Sequence, residues 1–189
     1  PLATPFQGFE PQQFPIPQED PPIQPAGYAF GIWGPIYLWL LVHALFGLIR
    51  RSDDPAWDAP RWPLILSLAL GTPWLAVASV SPPAATVLIW AMLASALAAL
   101  RAAAPEPVPA LLRAPVGLYA GWLTAASVVS LGLLAAGHGV GPGALGWAWI
   151  GLAVALGVAL GALAMLRRQG LRAAPGYGAG VAWALVGIA

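Results

Sequence analysis

The sequence predicts an all-α integral membrane protein: a bundle of five transmembrane helices plus an incomplete sixth, entered through an extended Pro-rich tail. Three observations carry this. Of the 189 residues, 59% are hydrophobic and only 8% charged, against about a quarter charged in soluble domains, so a water-soluble fold could not hide the apolar surface. The apolar residues gather in runs close to the ~20 residues that a helix needs to cross a hydrocarbon core of about 30 Å. All eight basic residues, Arg50, Arg51, Arg61, Arg101, Arg113, Arg167, Arg168 and Arg172, fall in alternate connections, as the positive-inside rule requires of spans that alternate in direction.

Taken in order, residues 1–28 form a tail rich in Pro and Gln, with Phe6, Phe9 and Phe14 spaced through it and Glu10, Glu19 and Asp20 as its charges. Proline fixes φ and removes backbone donors, so this segment is expected to be extended. The regular phenylalanines favour a strap lying along the outer membrane face or on a partner. The first span runs from Ala29 to Ile49 and is closed by Arg50 and Arg51. A polar loop with Asp53, Asp54 and Asp58 leads to a second span, Trp62–Val80, interrupted at Gly71, Thr72 and Pro73, where a proline frees a carbonyl and kinks the helix. The third span covers Ala84–Leu100, the fourth Ala114–Ala136 and the fifth Ala144–Leu166. These five make a bundle over residues 29–166. Residues 167–189 are read as a loop and the start of a sixth helix that is cut off or stops partway. The chain opens on Pro1 with no signal-peptide pattern, which reads as a processed chain or a fragment.

Composition also excludes. A net charge of +1 with no lysine argues against nucleic acid as a partner, because phosphate binding needs clustered cations. The absence of cysteine rules out disulfides, thiolate metal sites and cysteine nucleophiles. Ser127 and Ser130 have no His or acidic neighbour in sequence and no phosphate loop is present, so no catalytic constellation is visible and the protein is read as a non-enzyme.

Within lipid, helices associate through small residues and polar contacts. Gly117, Gly121 and Ala125 share a face of the fourth span, Ala153, Gly157 and Gly161 a face of the fifth, and Ala91, Ser95 and Ala99 a face of the third. Trp62, Trp147 and Trp149 near span ends read as interfacial anchors. Trp33, Trp39, Trp74, Trp90 and Trp122 lie within spans, where an indole N–H needs a partner; they either fill space or line an aromatic pocket. His43 is the one histidine deep in a span, a candidate ligand or hydrogen-bond donor to a metal or tetrapyrrole. No second ligand accompanies it on its helix, and Trp39 occupies the position four before it where antenna-type bacteriochlorophyll sites carry a small residue.

The first span, with Pro25, Tyr28, Phe30, Trp33 and Tyr37, and the fourth, with Tyr119, Trp122 and Ala126, resemble the opening motif and the Tyr-Trp-Ala run of the TspO/MBR family, the tryptophan-rich sensory and translocator proteins. Trp74 matches the tryptophan of that family's second helix. The resemblance covers roughly 25–136 and implies a TspO-like five-helix bundle, often dimeric, with a pocket for hydrophobic ligands such as porphyrins or sterols. Gly71 and Ser130 stand where the family usually has Asn, so two polar groups near such a pocket are lost or weakened.

The expected role is therefore a binding protein that is regulatory or a carrier, holding a hydrophobic small molecule in an aromatic cage of Trp33, Tyr37, Trp74, Tyr119 and Trp122, with His43 as a further cofactor-binding candidate. No cofactor is required; porphyrin, bacteriochlorophyll, carotenoid or lipid are the ligand classes expected, and no metal site. The alternative is a non-catalytic accessory subunit of a larger membrane complex such as a photosynthetic one. A transporter is a third reading, from the break at Gly71 and Pro73. The partners expected are the lipid bilayer and a homodimer or neighbouring subunits, in an inner (cytoplasmic) membrane with the tail periplasmic and the arginines cytoplasmic.

Overall fold

The computed structural model describes residues 8–102, 110–168 and 174–188. Phe6, the prolines of the third connection (Pro105, Pro107, Pro109) and Arg172 lie outside the described residues. After short 3-10 turns at Pro11–Gln13 and Gly27–Ile32 come α1 (Trp33–Arg50), α2 (Pro55–Asp58), α3 (Arg61–Ala78), α4 (Pro82–Ala102), α5 (Ala110–Gly137), α6 (Gly143–Arg168) and α7 (Ala174–Ile188). There is no strand among the described residues. Among the described residues, five helices are long and apolar enough to cross a membrane: Gly27–Arg50, counting its 3-10 entrance, Arg61–Ala78, Pro82–Ala102, Arg113–Gly137 and Gly143–Arg168. The 15 residues of α7 reach about 22 Å, short of a full span.

α5 is the axis of the bundle. Within its apolar stretch 67% of the residues are buried, against 28% in the first span and 22% in α6, so the outer helices turn most of their surface outward. That surface is apolar: Leu38, Leu48, Ile49 and Val87 are each about two-thirds exposed or more. Such contiguous exposed apolar area fits a lipid surround and not water. α1 presents one stripe inward, Ile36, Leu40, His43 and Gly47, at the spacing of a single helical face. Pro35 sits in the first turn of α1, where the missing N–H leaves no bond unmade. The seven described arginines all fall at one end of the bundle, since each lies at the same end of its alternating helix. There Arg51 pairs with Asp54 at 3.0 Å and Arg61 with Asp58 at 2.7 Å.

Small residues let backbones touch. Gly176 of α7 meets the Ala114 carbonyl and Gly121 of α5 meets the Tyr177 carbonyl. A Cβ on Gly180 would stand 2.5 Å from the Leu118 carbonyl oxygen and 2.7 Å from the Trp122 nitrogen. Residue numbers rise together along both helices, so α7 runs parallel to α5, on the face that carries Gly121. The small residues of α6 behave differently from expectation. Ala153, Gly157 and Gly161 are exposed, and a Cβ on either glycine would meet nothing within 4 Å. α6 buries Gly151, Ala159, Ala162 and Leu166 instead. Glycine and alanine occur on more than one face of α6, and the face chosen is the one whose Gly151 admits Ile23 of the tail.

Buried hydroxyls bind the helices across the bundle. Ser67 of α3 donates to the Met92 carbonyl of α4 at 2.7 Å and lies 3.0 Å from the Tyr119 hydroxyl of α5. Thr86 and Ser130 are 2.7 Å apart, Thr124 and Tyr177 2.8 Å. Each such bond contributes about 0.6–2 kcal/mol in lipid. The expected interruption at Gly71 and Pro73 is not a break: α3 is continuous from Arg61 to Ala78 with Pro73 inside it, and Thr72 Oγ1 donates back to the Leu68 carbonyl at 3.0 Å. The feature that suggested a transporter is thereby removed.

The described part of the tail is a strap across the end opposite the arginines. Gln13 Nε2 donates to the Ala78 carbonyl at the end of α3 (2.9 Å). The Ile16 N–H reaches Gly137 at the end of α5 (2.9 Å), and the Ala26 N–H reaches Gly187 near the end of α7 (2.7 Å). Phe9, Phe14 and Ile23 are buried, with Phe14 lying on Gly137 and Ile23 wedged between Gly132 and Gly151.

Candidate functional site

The aromatic residues expected to form one cage fall into a run of ring contacts and a cavity lining that share Trp122. On the α1 side Trp33 stacks on Tyr37 (ring centroids 5.2 Å, 19° between planes) and also meets Tyr119 at 6.2 Å and Trp122 edge-on at 6.3 Å. Tyr37 is half exposed. α1 packs on α5, and the stacked pair runs from the exposed side of α1 to the rings of α5. Tyr119 is in turn bonded to Ser67 of α3.

The strap, α3, α4 and α5 line a cavity of about 40 Å³, bordered by Gly8, Phe9, Gln24, Pro25, Phe30, Trp74, Ile89, Trp122, Ala125, Ala126, Val129, Ser130 and Leu133. Phe30, one of the lining residues, stands edge-on to Trp122 at 5.9 Å and 85°. Trp74 lines the cavity but commits its N–H to the Ala85 carbonyl (3.0 Å), and Ser130 is tied to Thr86. Trp122 is 1% exposed, and its indole N–H has no hydrogen-bond partner among the described residues. The lining residues carry no charge.

The structure thus joins Trp33, Tyr37, Tyr119 and Trp122 by ring contacts and places Trp74 with Trp122 in the lining of one cavity. His43 stands apart from them. It is ten residues beyond Trp33 on α1, about 15 Å along the axis, and stacks on Trp57 of α2 (4.8 Å, 22°). Trp57 lies against the bare backbone of Gly47. Together with Leu64, Arg61 and Leu68 these residues line a separate cavity of about 280 Å³ at the arginine end. No group of three metal-ligating side chains occurs among the described residues.

Two features escaped the sequence. Phe9 and Gln24 enter the cavity from a tail segment whose path no periodicity encodes, although the spaced phenylalanines signalled that it would dock. Tyr28 and Trp183 tie α7 to the entrance of α1: Tyr28 donates to the Val186 carbonyl (2.8 Å), Trp183 to the Ala29 carbonyl (2.9 Å), and their rings meet edge-on at 6.2 Å. This lock pairs residues more than 150 positions apart in sequence, beyond the reach of any local pattern.

No curated protein and no solved structure matches the chain. The pattern of one family does, over residues 16–189, and it is the family described as TSPO-like protein. That match takes in the strap from Ile16 onward, every long helix and α7, and the chain therefore belongs to the TSPO-like protein family.

Proposed function

We propose that this TSPO-like protein binds a hydrophobic small molecule, a tetrapyrrole, a sterol or a compound like them, between its helices, in a regulatory or carrier role without catalysis. The observation that carries the reading is the run of rings from half-exposed Tyr37 through Trp33 to buried Tyr119 and Trp122. The run begins at a ring exposed on α1 and ends in the core, a route by which a ligand dissolved in the bilayer would enter sideways. Stacked and edge-on aromatic pairs add about 0.5–1.5 kcal/mol each beyond area burial, and a flat polycyclic ligand exploits the same contacts. The protein is read as lying in an inner (cytoplasmic) membrane with the strap periplasmic and the arginines cytoplasmic.

The test is quenching of tryptophan fluorescence in nanodiscs by protoporphyrin IX and by a fluorescent sterol. Saturable quenching is expected for at least one, with affinity lowered about tenfold or more in Trp33→Ala, in line with the cost of losing a well-packed aromatic anchor. Absence of saturable quenching by both would remove the reading.

A second reading, an accessory subunit of a larger membrane complex, is favoured by the exposed small-residue face of α6 at Ala153, Gly157 and Gly161, which would let another helix approach closely. Purification in mild detergent separates the two: a stoichiometric companion chain is expected on this reading, and migration as a species made of this chain alone contradicts it.

A further inference from the structure

The cavity at the arginine end shares no residue with the aromatic run, and its lining is graded in polarity. It is bordered by α1 on one side and by α2 and α3 on the other. α1 runs toward the arginine end and α3 away from it, so Leu40 and Leu68 lie at the deep end of the cavity and Gly47, Leu48 and Arg61 at its mouth. Leu68 is seven residues from Arg61, about 10 Å along the helix axis. The deep end is aliphatic. The mouth holds the Arg61 guanidinium, and no carboxylate is among the lining residues.

The surroundings narrow what fits. Trp62, next to Arg61, is 73% exposed, as a tryptophan at the headgroup level of a bilayer is, so Arg61 stands at the depth of the lipid phosphates. α3 begins at Arg61 with no side chain capping it and no acidic residue in its first turn. The N–H groups that open the helix, and its dipole, add to the positive field there. Arg61 gives one N–H to Asp58 at 2.7 Å, but that carboxylate is half exposed and exposed pairs of this kind are weak. A guanidinium has five N–H donors, so a second oxyanion can be held beside the first. Leu48 and Ile65 both line the cavity and are both exposed, so it meets the lipid surround at its rim. Its volume of about 280 Å³ equals roughly nine water molecules at about 30 Å³ each, room for a stretch of one acyl chain and too little for a porphyrin.

We propose that this cavity seats one anionic phospholipid of the leaflet at the arginine end, of the phosphatidylglycerol type. Its phosphate rests on Arg61 and the opening turn of α3, and one acyl chain runs inward between α1 and α3, past Leu64 to Leu68. A guanidinium holds phosphate by two parallel N–H···O bonds, and basic pockets between membrane helices are a recurrent seat of anionic headgroups. The binding role proposed above uses other residues, so either can fail without the other.

The test is native mass spectrometry of the full chain in mild detergent. The probes are dioleoylphosphatidylglycerol, dioleoylphosphatidylcholine, which has the same chains and a zwitterionic head, and inorganic phosphate. One phosphatidylglycerol is expected to bind about fivefold or more tightly than phosphatidylcholine, the preference that one arginine at a membrane surface confers. Arg61→Gln should abolish that preference. Ala44→Trp adds a large side chain at an exposed lining position and should lower phosphatidylglycerol affinity about fivefold or more by blocking the acyl chain. Arg167→Gln combined with Arg168→Gln, at the same end but on α6 and outside the cavity lining, should change it by less than about twofold. Equal affinity for the two lipids in the wild type, or a preference that survives Arg61→Gln, would overturn the assignment. A loss in the α6 variant as large as that in Arg61→Gln would do the same, because the arginine end would then attract anionic lipid without a seat for it. Unchanged affinity in Ala44→Trp would remove the acyl chain from the cavity, and displacement of the lipid by millimolar phosphate would give the site to a free anion; either overturns the proposal. Trp33→Ala should leave phosphatidylglycerol binding intact, which separates this site from the ring run.

Discussion

Gly180→Ala should destabilise the protein by about 2 kcal/mol or more, the range for overpacking a close-packed interior, and should lower its thermal midpoint in detergent by several degrees. The added methyl would stand 2.5 Å from the Leu118 carbonyl oxygen and 2.7 Å from the Trp122 nitrogen. Both are backbone atoms of the central helix, so no rotamer change relieves the contact and α7 must move away from α5. That movement pulls on the Trp183 and Tyr28 bonds to the entrance of α1, and through Ala29 and Phe30 on the aromatic run itself. Ligand affinity should therefore fall together with stability. The control is the same substitution on α6. Gly157→Ala meets nothing within 4 Å and replaces a poor helix former by the best, so it should be neutral or stabilising by up to about 1 kcal/mol. Equal midpoints for the two variants, measured by differential scanning fluorimetry, would contradict the close packing of α7 on α5.

The contrast between these two glycines shows what was legible in the sequence. Composition, span length and arginine placement determine the membrane bundle, because each reflects a solvent constraint that acts on every residue. The family resemblance, read from Tyr28, Phe30, Trp33, Tyr119 and Trp122, holds as membership of the family whose pattern matches residues 16–189. Which small-residue face packs is not encoded locally. Gly121 and Gly157 sit in similar patterns, yet only Gly121 meets another backbone, since the choice depends on where α7 and the strap arrive. Trp122 could be placed in a span from its sequence position alone, while its ring partners Phe30 and Trp33 reach it from the start of the chain. His43 attracted attention as an imidazole within a span, but its partner Trp57 comes from a four-residue helix whose inward turn follows from the bare backbone of Gly47. Residues adjacent in motif were thus separable into two cavities only once the helices were placed.

The claim on which every other statement depends is that these helices stand in lipid with their arginines at one end and the strap at the other. The chain has no cysteine, so a single introduced thiol reports unambiguously. In intact cells, a membrane-impermeant maleimide should label Glu19→Cys on the strap, Ser79→Cys between α3 and α4, and His138→Cys beyond α5. Asp53→Cys should be labelled only after the membrane is permeabilised. Leu160→Cys, exposed on α6 but facing hydrocarbon, should resist the reagent in both conditions and react once the protein is dissolved in denaturant. Labelling of Asp53→Cys from the same side as Ser79→Cys, or of Leu160→Cys in the intact membrane, would contradict the arrangement and the ligand path built on it.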